Sequence, residues 1–117
     1  MEPMTKKMKQ HGIDTEGVIA RLGGKEKLYL TICKKFLDDP SFSSIQEAIS
    51  KGDYTKAKLH IHTLKGVAAN LGFSYLHALC SHLLTELEQE ALGSFYRDLI
   101  HLDQEYNIIT SILKENA

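Results

Sequence analysis

The chain of 117 residues has few cysteines and no excess of either charge. Cys33 and Cys80 form no CxxC pair and fall at apolar helical positions, which predicts two reduced thiols in the core rather than a disulfide or a metal site. The formal net charge of -1 lacks the basic excess that is typical of nucleic-acid-binding proteins. We therefore expect neither a metal nor a nucleic-acid partner.

Long apolar runs are also absent. Nowhere do 18 apolar residues follow one another, and the polar, basic start of the chain leads into no apolar signal core. These features predict no membrane insertion and a cytoplasmic location, for a whole protein or for the cytosolic part of a larger one. Residues 1–12 contain three lysines and are predicted to form a flexible N-terminal tail.

Signals for β-strands are weak throughout the sequence. There is no sustained alternation of apolar and polar residues and no Asn-Gly or Asp-Gly hairpin, whereas apolar residues recur at spacings of three and four. The pattern predicts an all-α fold in one domain over residues 13–117. The expected architecture is an antiparallel four-helix bundle with a short extra N-terminal helix.

Capping and helix-breaking residues predict where the helices begin and end. Asp14 and Asp53 are predicted N-caps, and Gly72 is a predicted C-cap. Pro40 ends an earlier helix, after which two overlapping capping boxes at Ser43 and Ser44 are expected to begin the next one. Near the C-terminus, Gly93-Ser94 is the predicted break between the last two helices.

The helix predicted after Asp53 contains two adjacent rows of side chains. One is an apolar stripe that should face the core, formed by Ala57, Ile61, Leu64, Ala68 and Leu71. At about 100° of rotation per residue, a second row lies beside it and should face solvent, formed by Lys58, His62, Lys65 and Ala69.

His62, Lys65 and Gly66 have the types and spacing needed to carry a phosphoryl group. A neutral imidazole is a nucleophile near neutral pH, and a lysine one turn away offers positive charge for phosphoryl oxygens. Glycine inside a helix costs about 1 kcal/mol relative to alanine. Because helical side chains lean toward the N-terminus, glycine at position 66 leaves the imidazole uncovered. No Gly-rich or Walker-type phosphate loop is present, so any phosphoryl group that the chain carries must come from elsewhere.

The segment His62-Thr63-Leu64-Lys65-Gly66, followed by Gly72, resembles the HxxKGxxxxxG signature of histidine-containing phosphotransfer (HPt) domains. These domains are four-helix carriers in multistep two-component phosphorelays. The resemblance covers about residues 13–113 and includes Arg21-Leu22-Gly23-Gly24 before the second helix.

The resemblance implies a role for each motif residue. His62 would accept a phosphoryl group from the aspartyl phosphate of one receiver domain and pass it to the aspartate of another. Lys65 would be the charge partner of the phosphate, and Gly66 would provide steric access. The chain would then be a carrier without an ATP site or a cofactor of its own, with magnesium supplied by the receiver. Its partners would be response-regulator receiver domains and a hybrid sensor histidine kinase, and a monomer would expose one helix face to each in turn.

The surface around His62 is expected to contact the receiver domain. The predicted docking residues are Lys58, Leu59, Ala69 and Phe73, with Lys34, Lys35 and Phe36 of the second helix as further candidates.

Leu84 departs from the family pattern. Many members carry Glu or Gln 22 residues past the histidine, where it orients the imidazole, and here that position is Leu84. Thr85, His82 or a backbone carbonyl are the alternative orienting groups. A second interpretation is a non-phosphorylated helical adaptor that docks receiver domains. A di-iron bundle would need inward Glu-x-x-His pairs, and this sequence contains none.

Overall fold

The computed structural model describes residues 1–115, which contain seven α-helices, one 3₁₀ turn and no β-strand. The main packing is between sequential neighbours in the series α4, α5, α6 and α7, and their short connections make an antiparallel bundle. This confirms the predicted fold class. The helices are α1 (Pro3–Gln10), α2 (Thr15–Arg21), α3 (Glu26–Lys35), α4 (Ser41–Ser50), α5 (Tyr54–Leu71), α6 (Ser74–Glu88) and α7 (Leu92–Glu115), with the 3₁₀ turn at Phe36–Asp38.

The apolar stripe of α5 lies at the centre of the bundle, as predicted. Its five residues are all buried, and leucines of α6 and α7 pack around them. Because the stripe is narrow, the opposite side of α5 remains at the surface. None of the helices within residues 1–115 is long and apolar enough to cross a bilayer.

The caps of α2 and α5 are confirmed. Asp14 Oδ1 accepts a hydrogen bond from the Gly17 amide at 3.1 Å, and Asp53 Oδ1 accepts one from the Lys56 amide at 3.0 Å. Gly72 ends α5 with a φ of +80°, a conformation that favours glycine. Asp53 and Gly72 therefore fix the length of α5, the helix that contains His62.

Helix α4 begins earlier than the predicted capping boxes at Ser43 and Ser44. Asp39 Oδ1 accepts a hydrogen bond from the Ser41 amide at 2.9 Å, and Ser43 Oγ donates to the Pro40 carbonyl at 3.0 Å. The N-cap is Pro40, so the predicted caps Ser43 and Ser44 are wrong by three and four residues, because the carboxylate before Pro40 satisfies the first amide of the helix.

The break before α7 also lies earlier than predicted. The chain reverses at Glu90, which has a φ of +55°, and the Ala91 carbonyl accepts the first helical hydrogen bond, from the Phe95 amide at 2.9 Å. Gly93-Ser94 is therefore in the first turn of α7 rather than between two helices. A non-glycine residue in the left-handed region is uncommon. The sequence pattern therefore placed the break at Gly93 and not at Glu90.

Residues 3–10 form α1, although the sequence predicts a flexible tail there. Met4 and Met8 are buried, and α1 packs against α7. His11 Nε2 lies 2.9 Å from both carboxylate oxygens of Glu105, itself a buried residue of α7. The prediction missed this helix because its lysines face solvent and mask the two methionines, four residues apart on the inner face.

Candidate functional site

His62 lies near the middle of α5, on the outer surface of the bundle. Its neighbour Ile61 is fully buried, whereas His62 itself is exposed. Within residues 1–115 no hydrogen bond to its imidazole is present. The exposure predicted from the helical periodicity is confirmed, and a partner can reach the ring directly from solvent.

Gly66 lies one turn after His62 and borders open space. A Cβ atom added at Gly66 would meet nothing within 4 Å among the described residues, apart from the backbone of its own helix. Its φ is outside the left-handed region, so the backbone conformation does not require glycine. Neither packing nor backbone geometry therefore explains the glycine, and its effect is to leave a gap next to the imidazole.

Lys65 is the cation nearest His62 in sequence that has no counterion. It is half-buried, and no carboxylate within residues 1–115 pairs with it. The ammonium of Lys58, by contrast, lies 3.6 Å from Glu88 Oε1. Burial raises the pKa of the Cys80 thiol to about 12, and the ammonium of Lys65 opposes part of that rise. Lys65 therefore lies close to α6 with its charge free to interact with an incoming anion.

Neither Leu84 nor the side chains suggested in its place, Thr85 and His82, orients the ring of His62 by a hydrogen bond within residues 1–115. Leu84 packs against the core, and Thr85 Oγ1 donates to the Ser81 carbonyl at 3.1 Å. His82 is exposed. Within the described part of the chain, none of these side chains forms a hydrogen bond with His62.

His77 is a residue near the site that sequence reasoning missed. Its Nδ1 lies 3.2 Å from the backbone carbonyl of Lys65, and because a carbonyl only accepts, Nδ1 carries the proton. This bond ties α6 to α5 at the level of Lys65. The sequence assigned His77 no role, because a bond between two helices leaves no spacing signal in a single sequence.

Three of the four predicted docking residues surround His62 at the surface, and the fourth does not. Lys58, Leu59 and Ala69 are exposed. Phe73 is only 1% exposed and packs edge-on against Phe36, with ring centroids 5.2 Å apart. The prediction that Phe73 or Phe36 lies on the docking surface is therefore corrected, because both rings are part of the core beneath the end of α5.

The two cysteines are separate, buried thiols. Cys33 and Cys80 are both free, and burial raises the pKa of Cys33 to about 12 as well. In the range 1–115 there is no group of three His, Cys, Asp or Glu side chains that could hold a metal ion.

Comparison with known proteins bears on the motif around His62. The family model of the Hpt domain matches residues 39–109, more than half of the chain, and the match includes His62, Lys65 and Gly66. Neither the curated proteins nor the solved structures give a match. The chain therefore belongs to the Hpt domain family, which implies a histidine phosphotransfer role in a phosphorelay and an interaction with receiver domains.

Proposed function

We propose that His62 accepts a phosphoryl group from the aspartyl phosphate of one receiver domain and passes it to the aspartate of another. The observation that supports this most strongly is the open space at Gly66 beside an exposed imidazole, since no packing contact and no backbone conformation calls for glycine there. The missing side chain leaves a path for a bulky phosphodonor.

The transfer is an in-line displacement at phosphorus. The unprotonated nitrogen of His62 forms the N–P bond while the P–O bond to the receiver aspartate breaks. The electron pair of that P–O bond returns to the aspartate carboxylate. The transition state is loose, with negative charge on the equatorial oxygens, and the Lys65 ammonium stabilises that charge. Transfer to the second receiver is the same step in reverse, and the magnesium ion belongs to the receiver.

The protein is thus a carrier rather than an enzyme, because it supplies a nucleophile, a cation and a docking surface and does not itself bind ATP. Lys58, Leu59 and Ala69 form the part of that surface nearest His62. A monomer in the cytoplasm exposes this face to a hybrid sensor histidine kinase and then to a response regulator.

A second candidate function is a non-phosphorylated adaptor that docks receiver domains. The observation in its favour is the environment of the imidazole: Leu84 replaces the polar orienting residue, and no hydrogen bond holds the ring within residues 1–115. A freely rotating ring spends less time aligned for attack. The adaptor would bind receivers without taking up phosphate.

The test is phosphate transfer from a panel of phosphorylated receiver domains in the presence of magnesium. We expect a base-stable, acid-labile phosphate on the wild-type chain, its loss in His62→Gln and its retention in His60→Gln, a matched change on another face of α5. Uptake by His62→Gln would overturn the site. Receiver binding without uptake by the wild type would favour the adaptor.

A further inference from the structure

A shallow depression beside His62 extends toward the start of α5. It has a volume of about 390 Å³, and its remaining lining residues are Thr55, Lys56, Lys58 and Leu59. Leu59 is 63% exposed, more than any other large apolar side chain in residues 1–115. The lining of this depression is almost entirely apolar, and an apolar patch next to the candidate phosphoacceptor indicates a surface that a partner covers.

A larger cavity of about 640 Å³ follows at the end of the bundle, where α5 begins, α6 ends and α7 begins. It shares Thr55 and Lys58 with the depression beside His62, so the two are adjacent. We call this surface the α5 ledge and define it by Tyr54, Thr55, Lys58, Leu59, Leu87 and Leu92.

The cavity in the α5 ledge is ready to receive an apolar group. The hydroxyl oxygens of Tyr54 and Tyr96 lie 2.5 Å apart, so one phenol donates a hydrogen bond to the other, and this bond helps to hold the ring of Tyr54 in place. The Lys58 ammonium is paired with Glu88. The lining also contains the carboxylate of Glu90, and beside these polar groups Leu87 and Leu92 form an apolar part of the surface that loses little on desolvation.

The α5 ledge lies within reach of any receiver that contacts His62. A protein interface of standard size covers about 800 Å² on each partner, which corresponds to a disc of about 16 Å radius. Tyr54 precedes His62 by eight residues, about 12 Å along the helix axis. A footprint centred on His62 therefore extends along α5 as far as the level of Tyr54, where the cavity begins.

We propose that the receiver domain that exchanges phosphate with His62 docks over the α5 ledge and inserts an apolar side chain between Tyr54, Leu87 and Leu92. This inference rests on the proposed function for the identity of the partner, but not on phosphate uptake. It places the anchor of the complex on the N-terminal side of His62, at the junction of three helices.

The test is receiver binding by a Leu92→Glu variant. Leu92 is 40% exposed at the first position of α7, and the first turn of α7 contains no acidic residue. A glutamate there interacts favourably with the helix dipole, so the fold should be kept while a charge enters the cavity. For the receiver in the panel that binds the wild type most tightly, we expect the Kd measured by calorimetry to rise at least about tenfold.

Two further variants test whether a loss of receiver binding is specific to the α5 ledge. Leu59→Glu, in the part of the α5 ledge nearest His62, should weaken binding by a similar factor. Ile100→Glu on α7 is the matched control, because Ile100 is 58% exposed and lines neither depression; its Kd should stay within about twofold of the wild type. Circular dichroism checks that all three variants fold.

Wild-type affinity in both Leu92→Glu and Leu59→Glu would overturn the proposal. An equal loss of receiver affinity in Ile100→Glu would also overturn it, since a charge anywhere on the surface would then have the same effect. Failure of every receiver to bind the wild type would overturn it as well. Phosphate uptake is measured separately on the same samples. Binding that depends on the α5 ledge without uptake would support this proposal and refute the carrier function.

Discussion

At the scale of single residues, a side chain at Gly66 should stabilise the fold but slow phosphoryl transfer. Replacing it with alanine adds a Cβ that meets no other group and removes backbone freedom from the unfolded chain. We expect Gly66→Ala to raise the free energy of unfolding by about 0.5–1 kcal/mol and to slow receiver-dependent transfer. Gly66→Leu should block transfer with helix content unchanged, as measured by circular dichroism.

The control for Gly66→Ala is Gly93→Ala, in the first turn of α7. An added Cβ meets nothing within 4 Å in the described part of the chain at this position either, so the substitution should be tolerated and leave transfer unchanged. A wild-type transfer rate in Gly66→Leu would show that the space beside His62 has no role in access.

Lys65→Ala tests the charge next to the phosphoryl group. Removing a cation that has no carboxylate partner leaves no buried charge unpaired, so the fold should be little affected, whereas the transition state loses a stabilising charge. We expect transfer to slow by about tenfold or more and the phosphorylated chain to have a shorter lifetime. Lys114→Ala, at the far end of α7, is the control, and equal rates and lifetimes in the two variants would remove the role assigned to Lys65.

The sequence predicted the local features of the site and missed the long-range ones. The exposure of His62 and the gap at Gly66 depend only on the rotation of one helix, which periodicity gives directly. The burial of Phe73 and the contact between His77 and Lys65 depend on how α5 and α6 pack, and no spacing within a single sequence encodes that.

At the scale of the elements, Gly72 both ends α5 and holds the loop between α1 and α2. Its carbonyl accepts a hydrogen bond from the Asp14 amide at 2.9 Å. A Cβ at Gly72 would lie 2.8 Å from the Asp14 carbonyl oxygen and 2.9 Å from Val18 Cγ2. The predicted C-cap is therefore also a packing contact between two parts of the chain, which the sequence did not reveal.

Gly72→Ala should therefore destabilise the domain more than a simple C-cap substitution does. Gly52 also has a positive φ, of +66°, but an added Cβ there meets nothing within 4 Å among the described residues. We expect a loss of about 1 kcal/mol for Gly52→Ala and of at least about 2 kcal/mol for Gly72→Ala, both measured by urea unfolding. Equal losses would mean that the contact with Asp14 contributes nothing.

At the scale of the whole molecule, α1 is part of the folded domain. Met8 of α1 is completely buried, whereas Met1 is 59% exposed. We expect Met8→Ala to lower the free energy of unfolding by about 2–4 kcal/mol and Met1→Ala to change it by less than about 0.5 kcal/mol. If urea unfolding gave the same stability for both variants, residues 1–12 would behave as the tail that the sequence predicted.

The bundle could be predicted from the sequence because sequential helices with short connections pack as neighbours. Helix α1 could not be predicted in the same way. Its two methionines are buried where α1 packs against α7, which is close to the other end of the sequence. The Hpt family model does not cover α1 either, since its match begins at residue 39.

The central claim is that one imidazole on the outer face of α5 holds the phosphoryl group. The most direct measurement is tandem mass spectrometry, under neutral to alkaline conditions, of the chain after incubation with a phosphorylated receiver domain. We predict a single phosphohistidine at His62. Phosphate on His60, His77 or any other residue, with His62 unmodified, would contradict the claim.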